Sequence, residues 1–315
     1  MPLDKPDDSL PSVTVVIATR HRPDLLDRCL SALHGQSVSP STVIVVDNSG
    51  GDCATRAVAA GSGATYLVEP RLGVSRARNV GALAATTDVV AYLDDDAVPD
   101  SGWLAALLLE FRDPRVAAVT GRILELGEVD AVRQSARSVI FGGPRRLVFD
   151  RSTIDWFERA NFGGVGQGAN VAIRRSTLTS SAGFGFDERL GAGTRMVGEE
   201  EHDAFFRLID RGYRVVYAPA ASVQHPCPGS DAKARRLHLR QLQTTSAHLA
   251  LLLTEERRYR WRSAKYALRV VSGRPPTWRS ETSAPQLSRL AVARARVAGI
   301  AAYVRMRVAD MTGGE

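Results

Sequence analysis

The sequence predicts an α/β fold, a mostly parallel central sheet flanked by helices, with a basic helical extension at its C-terminal end. Three observations predict it. Short β-branched apolar runs alternate with amphipathic helical stretches through short connections, the pattern of right-handed βαβ units. Several of these runs stop at polar or acidic residues, as strands do where the carboxyl ends of an open sheet meet a ligand. Beyond residue 231 the chain turns Arg-rich and loses strand character.

Residues 13–18 (VTVVIA) read as a buried strand that ends at Thr19 and Arg20. Pro23 and Asp24 open a helix with Leu25, Leu26, Leu30 and Leu33 along one side. Residues 43–46 (VIVV) form a second strand running into a turn that begins at Asp47. Residues 53–60 read as a helix and 64–68 as a third strand. Residues 73–85, with Arg78 and Asn79, are a loop entering a helix of small residues. Residues 88–93 (DVVAYL) form a fourth strand ending in Asp94, Asp95 and Asp96, and 99–112 a helix bearing Trp103, Leu104, Leu107 and Leu108. Further on, 116–120, 170–173 (NVAI) and 214–217 (RVVY) have strand character, and 203–211 is a helix closed by Gly212. From residue 232 the pattern is two helices joined across a break at 273–276.

The formal charge of +7 is unevenly spread. Residues 232–315 hold 17 Lys+Arg against 5 Asp+Glu, a net of +12, which leaves 24 against 29, a net of −5, in residues 1–231. A basic end on an acidic body suits an anionic partner, or is simply a solvated helical face. Three cysteines give no disulfide framework and fit a reducing compartment. The first residues, MPLDKPDDSLPS, lack the apolar core of a secretory signal, and no apolar run is long enough to span a bilayer. The expected location is therefore cytoplasmic, with the inner face of the plasma membrane as the surface the basic region would meet.

Three carboxylates in succession repel one another. Solvent relieves that in an isolated acidic turn; behind a buried strand, with Asp47 at a neighbouring strand end, a divalent cation and a diphosphate relieve it better. Asp47 alone is equally a turn-capping residue. A second acidic cluster, Glu199, Glu200, Glu201 and Asp203, stands at a helix start, where the macrodipole favours negative charge but a cap needs fewer groups. His225, behind the 214–217 strand, is a candidate imidazole ligand, although a lone histidine is more often structural.

In these segments the chain resembles the inverting glycosyltransferases of family 2, which have the GT-A fold, over residues 12–226. VTVVIATRHRPDLLDRCLSAL resembles the opening strand and helix of that family, VIVVDNSG its second strand and aspartate, and GVSRARNVGA followed by DVVAYLDDDAVPD the segment ending in its DXD motif. GQGANVAIRRS, GFGFDERLG and EEEHDAFFRLIDRGYRVVYAPAASVQH resemble its acceptor-side half, which includes Asn170 and Asp203. The resemblance implies that residues 12–230 form the transferase domain, 12–113 its nucleotide-sugar half and 114–230 its acceptor and catalytic half. Residues 1–11 would be a flexible start and 231–315 a basic helical region. It further implies that Thr19, Arg20, Asp47, Arg78, Asp94 and Asp95 bind the nucleotide sugar, UDP- or dTDP-linked. Asp96, with Asp94 and His225, would hold Mn2+ or Mg2+. The family's Glu-Asp pair falls on Glu200 and Glu201 when aligned through Asp203 and Arg207. Its second member is the catalytic base, so Glu201 stands where aspartate is commoner, and the run of three glutamates keeps Glu200 as an alternative.

A dinucleotide-binding dehydrogenase would show a glycine fingerprint after the first strand, where this chain has ATRHRPD. A sugar nucleotidyltransferase would want a glycine-rich basic loop there. The Arg-rich end carries few aromatics, chiefly Tyr259, Trp261, Tyr266 and Trp278, and no nucleic-acid motif, so no nucleic-acid partner is expected. Trp261 and Tyr266 among Arg257, Arg258, Arg260 and Arg262 suit instead a helix lying on an anionic membrane. The acceptor is not legible.

Overall fold

The computed structural model describes residues 9–126, 139–178, 185–227, 230–272 and 287–312. Strands β1 (Val13–Thr19), β2 (Thr42–Asp47), β3 (Thr65–Val68) and β4 (Val89–Asp94) pair in parallel in the spatial order β3-β2-β1-β4. Two short strands, β5 (Val98–Pro99) and later β7 (Val139–Phe141), pair antiparallel with longer neighbours, as does β8 (Leu147–Phe149). Those neighbours are β6 (Val116–Glu125) and β10 (Arg214–His225), parallel to each other. Strand β9 (Asn170–Arg174) lies between β4 and β6, antiparallel to both. Direction is thus shared by the main strands on either side of one reversed strand.

The pleat sorts the core. Successive side chains of a strand face opposite sides of a sheet, so Val15 and Ile17 join Leu26, Leu30, Trp103 and Leu104 on one face. Those residues come from α1 (Pro23–His34) and, after α2 (Cys53–Gly61) and α3 (Val74–Ala84), from α4 (Trp103–Glu110). In α1 the buried stripe is Leu26, Cys29, Leu30 and Leu33, with Cys29 in the place expected of Leu25. Val16 faces the other side, towards α3. A Cβ at Gly81 of α3 would collide with Val16, so this small-residue helix sits close on the sheet.

Helices α5 (Trp156–Asn161), α6 (Arg175–Leu178) and α7 (Glu200–Asp210) follow, and α5 and α7 pack on the Val16 face. Helix α7 begins three residues earlier than the sequence pattern suggests. Glu199, with a φ of 71°, takes the left-handed conformation and turns the chain into the helix, and its carbonyl accepts the Asp203 N–H. Strand β10 is likewise longer than RVVY. It passes through a register shift between Ala218 and Ser222 and resumes as far as His225. The bulge fits because Gly121 has no side chain to meet the Ala221 carbonyl, and Asn170 Nδ2 donates to Ala221 O at 2.8 Å and Arg122 O at 3.0 Å.

The basic region forms three helices among the described residues, not two: α8 (Asp231–Glu255), α9 (Arg260–Val271) and α10 (Arg289–Thr312). The expected break at 273–276 lies outside the described residues. Tyr266 does not face an interface, as its neighbours in sequence suggested. It is buried and stacks on Phe162 with ring centroids 3.6 Å apart, while Tyr259 packs among Trp156, Phe157 and Phe206. Arg262 is tied to Glu158 at 2.5 Å, which leaves Trp261 exposed. Local charge patterning could not reveal this, because the partners lie about fifty to a hundred residues upstream. Among the described residues no helix is long and apolar enough to cross a membrane.

Candidate active site

The carboxyl ends of β1, β4 and β10 converge on a cavity of about 370 Å³. Asp94 is the last residue of β4, and the turn that follows sends Asp95 one way and Asp94 and Asp96 another. Asp95 turns inward, 5% exposed, and accepts from Thr19 Oγ1 at 2.7 Å and Arg22 NH1 at 3.2 Å. Burial raises its pKa against the opposing pull of Thr19 and Arg22. Asp94 and Asp96 turn towards the end of β10, where His225 Nε2 lies 3.1 Å from Asp96 Oδ1 and 3.9 Å from Asp94 Oδ2.

One donor atom from each of Asp94, Asp96 and His225 falls within 4.8 Å of the others. Two carboxylate oxygens and one imidazole nitrogen are a donor set suited to Mn2+ or Mg2+. His225 Nδ1 is 3.1 Å from Pro226 O, a contact that orients the ring with Nε2 towards the aspartates. The residues therefore fit a divalent cation. Burial pulls the His225 pKa down, but the hydrogen bond and charge of Asp96, with the charge of Asp94, outweigh it and leave it raised. Only the neutral ring ligates, so metal affinity should rise with pH through the titration of His225. Mn2+ titrations at a series of pH values check this, and an affinity independent of pH would exclude His225 as a ligand.

Arg78 of α3 joins this group to the glutamates of α7. It is 4% exposed, and its NH2 lies 3.0 Å from Asp94 Oδ1 while NH1 lies 2.9 Å from Glu200 Oε1. The aspartate turn and the glutamate cluster, remote in sequence, thus share one buried cation. Glu200 is 6% exposed and lines the cavity, and its Oε2 has no hydrogen-bond partner among the described residues. Burial first, then the charge of Glu201, raises its pKa, with Arg78 opposing. Glu201, partly exposed on the same helical turn, accepts among the described residues only the Gly168 N–H at 3.3 Å.

Behind the pair, Glu199 is anchored from two sides. His202 Nδ1 is 2.5 Å from its Oε2, and Thr244 and Thr245 of α8 donate to its Oε1 at 3.0 and 3.1 Å. Burial lowers the His202 pKa, but the charges of Glu199 and Glu201 overcome this and push it up to about 9. The basic region therefore braces the start of the acidic helix.

Thr19, Arg20, Arg78, Asp94, Asp95, Asp96, Glu200 and His225 all line the cavity. Asp47, Asn170, Asp203 and Glu201 are not among the lining residues. The Asp47 carboxylate accepts from the Ser49 N–H and hydroxyl, the Asp52 N–H and Tyr66 OH, and so holds the turn after β2. Asn170 is fully buried, receiving Trp103 Nε1–H at 2.8 Å besides bracing the β10 bulge. Asp203 pairs with Arg207 at 2.7 Å inside the helix packing. These three residues shape the cavity from outside it.

Sequence reading missed Arg22 and Asn48. Arg22 reaches Asp95 and Asp96 from the entry of α1, and its place between β1 and Pro23 was the available signal. Asn48 ties the 69–73 segment to the rim through Glu69 O, Arg71 O and the Gly73 N–H, each at 2.8 Å. The opposite wall, Ala192 and Gly193, is held to α3 by Ser75 Oγ donating to Leu190 O at 2.7 Å and by Asn79 bonding both polar backbone atoms of Phe186.

Residues 14–178 match the family model described as glycosyl transferase family 2, just over half the chain, from β1 to α6. The pre-mycofactocin glycosyltransferase of Mycobacterium tuberculosis is 36% identical over 221 residues, covering 68% of this chain and 42% of that protein, so the match spans less than half the relative's length. Galactofuranosyltransferase GlfT1 of the same species is 30% identical over 239 residues, 70% of this chain and 71% of GlfT1. The succinoglycan biosynthesis protein ExoM of Rhizobium meliloti is 28% identical over 255 residues, 78% of this chain and 77% of ExoM. In fold, the chain is similar to the mannosyltransferase PcManGT of Pyrobaculum calidifontis, solved with GDP-Man and Mn2+, with a TM-score of 0.54 at 19% identity over 100% of this chain and 92% of that one.

Proposed function

Because the chain belongs to glycosyl transferase family 2, we propose that it moves a sugar, with inversion, from a nucleoside diphosphate sugar to an acceptor hydroxyl in the making of a glycan or glycoconjugate. The observation that carries this reading is Arg78, 3.0 Å from Asp94 and 2.9 Å from Glu200. It draws a cation-binding group and a base-bearing helix to a single cavity, as single displacement at an anomeric carbon requires.

Asp94, Asp96 and His225 would hold a divalent cation, whose positive charge would stabilise a diphosphate leaving group. Thr19, Arg20 and Asn48 line the side of the cavity that receives the nucleotide, with Arg22 keeping Asp95 and Asp96 in place. Glu201 takes the acceptor proton as the hydroxyl oxygen attacks. Among the described residues its carboxylate has a single long hydrogen bond and is partly exposed, whereas one oxygen of Glu200 is taken by Arg78. Glu200, through Arg78, ties the helix start to α3.

UDP and dTDP are the expected nucleotides, and GDP joins them because the mannosyltransferase of similar fold carries GDP-Man. Calorimetric titration of the three diphosphates tests the site. Mn2+ should tighten binding of one of them about tenfold or more, roughly 1.4 kcal/mol, and Asp96→Ala should remove that gain. Equal binding with and without Mn2+ would remove the metal from the mechanism.

A further inference from the structure

A second cavity, of about 460 Å³, lies between α8, α9 and α10. Its walls are hydrocarbon: Leu242, Leu249 and Leu253 from α8, Val270 from α9, Ile300 and Val304 from α10. Ile300 and Val304 remain 49% and 52% exposed, apolar surface that folding has not covered. One end differs. There His238, Gln241 and Arg296 line the cavity, and the exposed Arg235, Arg236 and Arg240 stand along the same stretch of α8. Helix α10 reaches that end because Gly299 lets it close on Gln243 and Ser246, where a side chain would collide with the Gln243 carbonyl. The cavity is therefore apolar along its length and cationic at one mouth.

The cavity adjoins the acidic cluster of α7 through α8. Helix α8 starts at Asp231, six residues after His225, and at about 1.5 Å per residue His238 lies about 10 Å into it. Further along, Thr245 both lines the cavity and donates to Glu199 Oε1 at 3.1 Å, next in sequence to Glu200. A molecule lying along α8 would therefore be one side chain away from the start of the acidic helix.

We propose that this cavity binds one amphipathic lipid, its hydrocarbon chain along α8 and a phosphate at its head beside Arg296 and His238. The lipid is the carrier of the acceptor. That role rests on the transferase reading, whereas the lipid site stands on the cavity and its charge. A chain in a concave apolar slot and one anion beside Arg296 account for both features.

Calorimetry on the full chain tests the site with farnesyl monophosphate, taking farnesol, inorganic phosphate and phosphatidylglycerol vesicles as controls. Farnesyl monophosphate should bind saturably with one molecule per chain, farnesol about tenfold more weakly and inorganic phosphate not at all. Ala250→Trp and Ala267→Phe, which fill the cavity from α8 and from α9, should each weaken farnesyl monophosphate at least tenfold and leave Mn2+-dependent nucleotide binding unchanged. Arg296→Gln should bring farnesyl monophosphate down to the affinity of farnesol without altering farnesol itself, and it decides the matter if the filled variants do not fold. Absence of saturable binding, equal affinity in the folded filled variants, or binding to the vesicles alone would overturn the lipid site. Nucleotide binding that ignores Mn2+ while farnesyl monophosphate still binds would instead remove the transferase reading and leave the lipid site standing.

Discussion

Glu201→Gln is expected to reduce sugar transfer by about 10²–10⁴-fold, the range for loss of a positioned general base, while Mn2+-dependent nucleotide binding stays as in the parent protein. Glutamine keeps the side chain's length and can still meet the Gly168 N–H through its carbonyl oxygen, so α7 keeps its start. What it loses is the capacity to take a proton. Glu200→Gln should behave differently. Its carboxylate holds Arg78 at 2.9 Å, and neutralising it leaves the guanidinium dependent on Asp94, so nucleotide binding should weaken together with turnover. Single-turnover measurements with saturating donor separate the two effects. Near-normal transfer by a folded Glu201→Gln protein, with loss in Glu200→Gln at unchanged donor affinity, would move the base to Glu200.

Arg78→Met should cost about 3–5 kcal/mol of stability, the range for breaking a buried ion pair from one side. Methionine fills much of the volume but leaves Asp94 and Glu200 without their shared cation. Glu200 has a raised pKa even with Arg78 present, because burial outweighs the attraction, and losing Arg78 raises it further. A neutral Glu200 relieves part of the strain, so Arg78→Met with Glu200→Gln should recover some of the stability lost by Arg78→Met alone. Urea unfolding of the single and double variants measures both. A single variant within about 1 kcal/mol of the parent would mean that the cation does not hold the two halves of the site together.

The parts legible in the sequence are those with local causes. The strands β1, β2 and β4 announce themselves as β-branched runs, and Asp94 and Asp96 stand out because acidic residues follow buried ones directly. Strand β9 was visible as NVAI, but its reversed insertion between β4 and β6 depends on pairing with residues about fifty and eighty positions away. Asn170 looked functional through the resemblance of GQGANVAIRRS to the family's acceptor-side half, yet its side chain is spent on Trp103 and on the two carbonyls of the bulge. The early start of α7 was hidden by Glu199, since a left-handed conformation is not expected of glutamate. Arg78 was legible as a residue but not as a bridge: nothing local tells that an arginine in a small-residue helix meets an aspartate on one side and a glutamate over a hundred residues later on the other. The C-terminal helices read as a solvated or membrane-facing surface because Tyr259, Tyr266 and Arg262 find their partners in α5, at Phe162 just beyond it, and in α7.

The central claim is that the aspartate turn and the glutamate pair serve one sugar transfer. Incubating the full chain with UDP-, dTDP- and GDP-linked sugars and Mn2+, and following the nucleotide released, tests it most directly. One donor should yield its free nucleoside diphosphate, and both chelation of the metal and Glu201→Gln should stop that release. Pyrophosphate as the product, or diphosphate released equally by the Asp96→Ala and Glu201→Gln proteins, would contradict it.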